Sequence, residues 1–213
     1  MGSLEDMLLF AIVLTDFAVL GTSRLTAGIR AIAAQGLVLG AMPLVLHPGW
    51  SPHLIGLAAG TVLLKGVVLP MLLRRAIREA SVRREMEPLL GYMASLLVGG
   101  LVLAGAFALA ARLPLVGHEA ALLVPVALAT VMIGLLVLIT RKKALTQVVG
   151  YLMLENGIYL FGLTQVERVP FLVDIGVLLD VFVGVFIMGI VVFHINREFD
   201  SISAANLTEL RES

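Results

Sequence analysis

The stretch "GYLMLENGIYLFGL", residues 150–163, decides how the chain is read: it would cross a bilayer without objection but for one carboxylate, Glu155. A charged side chain at the centre of a membrane helix costs about 2.5–3.5 kcal/mol even on lenient insertion scales. Such a residue persists when a partner satisfies it or when it works. The rest of the chain therefore has to show what else lies at the same depth.

Three further ionisable residues fall near the middle of apolar runs: Asp16, Lys65 and Asp180, with Asp174 closer to the end of its run. Four such groups facing lipid would cost roughly 10–14 kcal/mol, as much as a whole domain's stability. They must face protein, water or one another. Glu155 and Asp180 stand in successive runs joined by a short connection, which places them on touching helices. At ~10 Å and an effective dielectric of ~20, two unit charges interact by about 1.7 kcal/mol. Protonating one acid then changes the other's readiness to hold a proton. Intramembrane acids mark ion pathways, so Glu155 and Asp180 are candidate proton-relay groups, followed by Lys65 and Asp16. The bland alternative makes them neutral, hydrogen-bonded groups that fix helix packing.

Composition sets the class. The 213 residues are 60% hydrophobic and only 14% charged, with mean hydropathy +1.04; soluble domains run to ~45–50% apolar and ~25% charged. This is an all-α integral membrane protein. Net charge is zero, which gives no footprint for nucleic acid. With no cysteine, disulfides and thiolate-held clusters are excluded from this chain. The acidic start "MGSLEDMLLF" lacks a small-residue cleavage site and reads as a first span, not a removed signal peptide.

A span needs about 20 mostly apolar residues. Seven stretches qualify: 4–23, 29–46, 54–73, 89–111, 120–140, 145–164 and 170–195. The runs are continuous and lack the alternation of barrel strands, so the expected fold is a bundle of seven helices. Residues 74–88, "RRAIREASVRREMEP", read as an amphipathic surface helix, and 197–213 as a polar tail. Twelve basic residues fall on one side of this arrangement: Arg24, Arg30, five arginines of 74–84, Arg141 to Lys143, Arg197 and Arg211. Only Arg112 and Arg168 fall on the other. Positive loops stay cytoplasmic, so the N-terminus is expected outside and the C-terminus in the cytoplasm.

Other chemistries find little support. His47, His53, His118 and His194 lie near span ends, so no pair shares the mid-depth plane that bis-histidine haem ligation requires. There is no phosphate-binding glycine loop. "GGLVLAG" and "GVFIMG" supply small residues for close helix approach, and Pro70 and Pro125 predict kinks. Pro70 follows Lys65 by five residues, where a kink would free backbone carbonyls.

The residues also carry a resemblance. "RKKALTQVVGYLMLEN" places Arg141, Lys142, Lys143, Gly150 and Asn156 as in subunit K of respiratory complex I, where a basic pair precedes a span bearing a glutamate. Leu152 holds the subunit-K carboxylate position, and Glu155 stands three residues later, about 4.5 Å along the axis on a similar face. Asp180 in "LLDVFVGVFIMGIVVFHINREF" matches the second acid of that subunit. The whole chain, with "YLMLENG", "LLKGVVLP" and the ending "LTELRE", resembles the hydrogenase-4 component E family of group 4 membrane-bound hydrogenases and formate hydrogenlyases. The resemblance divides the chain into four N-terminal spans (1–118, with the basic connection 74–88), a subunit-K-like module (119–196) and a cytoplasmic tail (197–213).

The resemblance implies a prokaryotic inner-membrane subunit that does no catalysis alone. Its partners would be antiporter-like membrane subunits, the membrane subunit that anchors the redox arm, and hydrogenase-type peripheral subunits. Nickel–iron and iron–sulfur centres would belong to those partners, with no cofactor in this chain. Glu155, Asp180, Lys65 and Asp16 would contribute to a proton-translocating hydrophilic axis. Two other readings stay open: a purely structural assembly subunit, and a subunit of a related cation/proton antiporter complex. An independent transporter would favour inverted repeats, which the two halves do not display.

Overall fold

The computed structural model describes residues 2–46, 49, 51–79, 89–113, 120–164, 176 and 179–189. Eight helical segments are named here: α1 (Gly2–Gly21), α2 (Leu25–Leu46), α3 (Pro52–Thr61), α4 (Leu69–Glu79), α5 (Tyr92–Ala110), α6 (Ala120–Thr140), α7 (Ala144–Leu163) and the shorter α8 (Leu179–Gly189). A π-helical stretch, Val62–Val68, joins α3 to α4 without a break. Among the described residues there is no strand. Four helices are long and apolar enough to cross a membrane: Leu25–Leu46, Leu54–Arg78, Tyr92–Ala110 and Leu122–Thr140. At 20 residues each, α1 and α7 match them in length. Their apolar character is diluted by Glu5, Asp6 and Asp16 in the first and Gln147, Glu155 and Asn156 in the second.

Local sequence explains the ends. Pro52 occupies the first turn of α3, where its missing N–H is no loss, and Ser51 caps that turn by accepting from Leu54 N at 3.2 Å. The third rod differs from the sequence expectation in two ways. It runs on through the first three arginines of 74–88, and its middle is widened into π turns. Pro70 cannot donate to the carbonyl four residues back, and its ring crowds it; the wide turns immediately precede it. Arg30 lies within α2 on an exposed face and not in a loop.

Two pairings bring backbones close, and glycine makes both possible. A Cβ on Gly36 of α2 would fall 2.6 Å from the carbonyl carbon of Lys65 and 2.8 Å from Gly66 N. Between α6 and α7, a Cβ on Gly157 would lie 2.6 Å from Val131 N, and one on Gly150 would lie 2.6 Å from Leu138 N. A Cβ on Gly134 would collide with the backbone of Leu154. Small residues of this kind let membrane helices approach until their backbones touch.

The core is layered. One apolar cluster gathers Leu9, Ile12, Leu39, Met42, Ala127 and Leu160. A second gathers Val19, Ile29, Leu73, Ile133, Val149 and Met153. On α1, α2, α6 and α7 alike, the polar residues Asp16, Gln35, Thr130 and Glu155–Asn156 fall between the members of the two clusters. A polar layer thus crosses the bundle at mid-length.

The remainder of the connection beyond Glu79, Arg83 and Arg84 included, lies outside the described residues, as do His47, Trp50, His118, Arg168, Asp174, His194 and the tail 197–213. The side chain of His53 does too, and the last expected span is described at Gly176 and in α8 alone.

Candidate functional site

All four residues singled out at membrane depth are buried: Asp16 is 0% exposed, Glu155 1%, Asp180 2% and Lys65 4%. Three of them meet. Lys65 Nζ, carried by the π-helical stretch, donates to Asp180 Oδ1 of α8 at 2.8 Å and lies 3.5 Å from Glu155 Oε1 of α7. Both acids therefore share one ammonium and are closer together than the ~10 Å assumed from topology. At ~6 Å and an effective dielectric of ~20, their mutual repulsion is about 2.8 kcal/mol. Neither oxygen of Glu155 has a hydrogen-bond partner among the described residues. Its 3.5 Å approach to the ammonium is an ion pair without hydrogen-bond geometry.

Charge counting shows what this trio can do. Fully ionised, it carries two negative charges and one positive in a site closed to solvent, and buried charge without compensation is expensive. One proton on Glu155 makes the trio neutral; its removal leaves one net negative charge. The net charge of the cluster therefore turns on whether one proton is present on either of two neighbouring acids.

The ammonium has one further neighbour. The ring of Tyr159, one turn beyond Glu155 on α7, lies 5.8 Å from Lys65 Nζ, within reach of a cation–π attraction. Its hydroxyl accepts from Thr61 Oγ1, one turn before Lys65, at 3.0 Å. The Thr61–Tyr159 bond ties α3 to α7 and holds the tyrosine ring beside the lysine.

Asp16 does not join the trio directly. It accepts from Gln35 Nε2 at 2.7 Å and from Thr130 Oγ1 at 2.7 Å, so each carboxyl oxygen has a donor. Gln35 in turn accepts from Asn156 Nδ2 at 2.9 Å, and Asn156 is the neighbour of Glu155. Thr130, Asp16, Gln35 and Asn156 form one hydrogen-bonded chain across α6, α1, α2 and α7, ending beside the trio.

Gln35, Thr130, Thr61 and Tyr159 were not singled out by sequence reasoning. An amide in the middle of "AIAAQGLVLG" is itself costly in an apolar span unless paired, and that signal was available for Gln35. Thr61, Thr130 and Tyr159 carry no such mark, being ordinary in membrane helices. Arg141 is placed at the end of a span. Counted with the basic residues of the expected cytoplasmic side, it is 1% exposed, donates to the Leu20 carbonyl at 3.1 Å and faces the Tyr92 ring at 5.6 Å. It closes the end of α1, whose last carbonyls lack helical donors. Among the described residues no group of three or more His, Asp or Glu is placed to hold a metal ion.

Comparison with known proteins adds two kinds of relative. An uncharacterized protein of Mycobacterium tuberculosis is 34% identical over 214 residues, covering 98% of this chain and 96% of its own. Hydrogenase-4 component E of Escherichia coli is 31% identical over 157 residues, covering 72% of each chain. The chain belongs to the hydrogenase-4 component E family. The Shigella flexneri member matches to the same extent. No protein-family profile matches the chain, and no solved structure matches it. As a family member with apolar helices of spanning length, it is a membrane protein.

Proposed function

We propose that the chain is a non-catalytic membrane subunit of a complex-I-like, membrane-bound hydrogenase, in which Glu155, Asp180 and Lys65 hold and pass a proton along a hydrophilic axis. Asp16 extends that axis through Gln35 and Asn156. The observation that carries this reading is the trio itself: two buried carboxylates around one ammonium, with a polar chain leading away from it at the same depth. In this reading the chain crosses the prokaryotic inner membrane seven times, with its N-terminus outside, its C-terminus in the cytoplasm and this layer at mid-membrane. Its neighbours in the axis are antiporter-like subunits and the subunit anchoring the redox arm. The nickel–iron and iron–sulfur chemistry that drives the proton belongs to the peripheral subunits. Family membership supports the assignment to a hydrogenase complex.

Glu155→Gln tests the relay. Glutamine keeps the size and removes the exchangeable proton, so the complex assembles while acidification of inverted membrane vesicles during hydrogenase turnover falls at least tenfold. Undiminished acidification would refute the relay. A second reading, a structural assembly subunit, is favoured at Asp16, whose two oxygens are both satisfied. Under it Asp16→Asn assembles and pumps normally.

A further inference from the structure

Outside the polar layer, one face of the α3–α4 rod lines a groove of about 600 Å³. Gly66, Val67, Pro70 and Met71 form its apolar part, and Arg74, Arg75 and Arg78 stand at its far end. Val67, Met71, Arg74 and Arg78 follow one another at three- and four-residue steps and so share one face. It is not the face that meets α8, where a Cβ on Gly184 would touch Leu69 and Leu72 at 3.7 Å. Val67 is 41% and Met71 62% exposed; Arg74 and Arg78 are exposed and have no acidic partner among the described residues.

We propose that this groove binds an anionic phospholipid, with an acyl chain along Val67, Pro70 and Met71 and the phosphate between Arg74 and Arg78. The length fits. Twelve residues from Gly66 to Arg78 rise roughly 18 Å along a helix, and one leaflet's share of the hydrocarbon core is about 15 Å. The polarity fits as well, apolar from mid-membrane outward and then doubly cationic where phosphates lie. A lipid carries both characters in one molecule, and its flexible chain fills the shallow hollow beside Gly66 without a complementary surface. A protein helix would need an acidic residue at one level and a matched apolar face along three turns.

The test uses the intact complex, reconstituted in nanodiscs of phosphatidylglycerol and phosphatidylcholine and released for native mass spectrometry. Wild-type complex retains phosphatidylglycerol in preference; the double variant Arg74→Gln/Arg78→Gln loses roughly 30-fold of that preference, equivalent to about 2 kcal/mol for two interfacial cations. An unchanged preference overturns the proposal. A photo-reactive residue at Met71 gives the second reading, independent of any arginine change. A phospholipid adduct supports the site, whereas a protein adduct, or none, overturns it. Proton translocation enters neither readout, so the lipid site and the relay fail separately.

Discussion

Lys65→Met removes one charge from the centre of the site and keeps most of the side chain's length. The ammonium lies 2.8 Å from one acid and 3.5 Å from the other. At an effective dielectric of ~20 these contacts amount to roughly 6 and 5 kcal/mol of attraction, much of it offsetting the desolvation of three charges. Breaking a buried pair by removing one partner costs about 3–5 kcal/mol, which for a chain of this size lowers the unfolding midpoint by roughly 6–20 °C. Adding Asp180→Asn removes one of the two stranded acids, so Lys65→Met/Asp180→Asn recovers about 2 kcal/mol or more of that loss. The assay is thermal unfolding of the purified complex, followed by size exclusion after heating, for both single variants and the double. A Lys65→Met cost below about 1 kcal/mol, or strictly additive effects, would refute the shared-cation reasoning.

Two further outcomes are expected. Gln35→Leu deprives Asp16 of one donor and Asn156 of its acceptor; leaving buried polar groups unmatched costs about 1–3 kcal/mol each, to be read in the same unfolding assay. Gly157→Ala sets a methyl 2.6 Å from Val131 N, where backbone and not a side-chain tip must yield, so co-purification of partner subunits drops and stability falls by about 1–3 kcal/mol.

Depth and charge were the parts of the site that the sequence made legible. Glu155, Asp180 and Lys65 are conspicuous against apolar neighbours, and the cost of stranding them demanded partners; the structure supplies each to the others. Asp16 followed the same argument, but its partners are an amide and a hydroxyl, which a search for opposite charge passes over. The burial of Arg141 was not legible, because it depends on the Leu20 carbonyl and the Tyr92 ring, neighbours that no local pattern names. The π-helical stretch was invisible for a related reason. Its side chains remain an apolar run, and only the close passage of Gly36 and the proline ahead reveal the widened turns. Four of the seven expected spans coincide with helices long and apolar enough to cross a membrane, because continuous apolar runs of that length leave few other options.

The glycine contacts between α6 and α7 have a mechanical corollary. Touching at three heights along the pair, the two helices behave as one stiff post, and Glu155 is fixed to it. Across the trio, α8 meets α4 through side-chain contact at Gly184 and buries Val183 and Ile187 in the core cluster that α7 also enters. Glu155 thus stands on a rod whose backbone is pinned to its neighbour, while its own carboxylate has no hydrogen bond to hold it among the described residues.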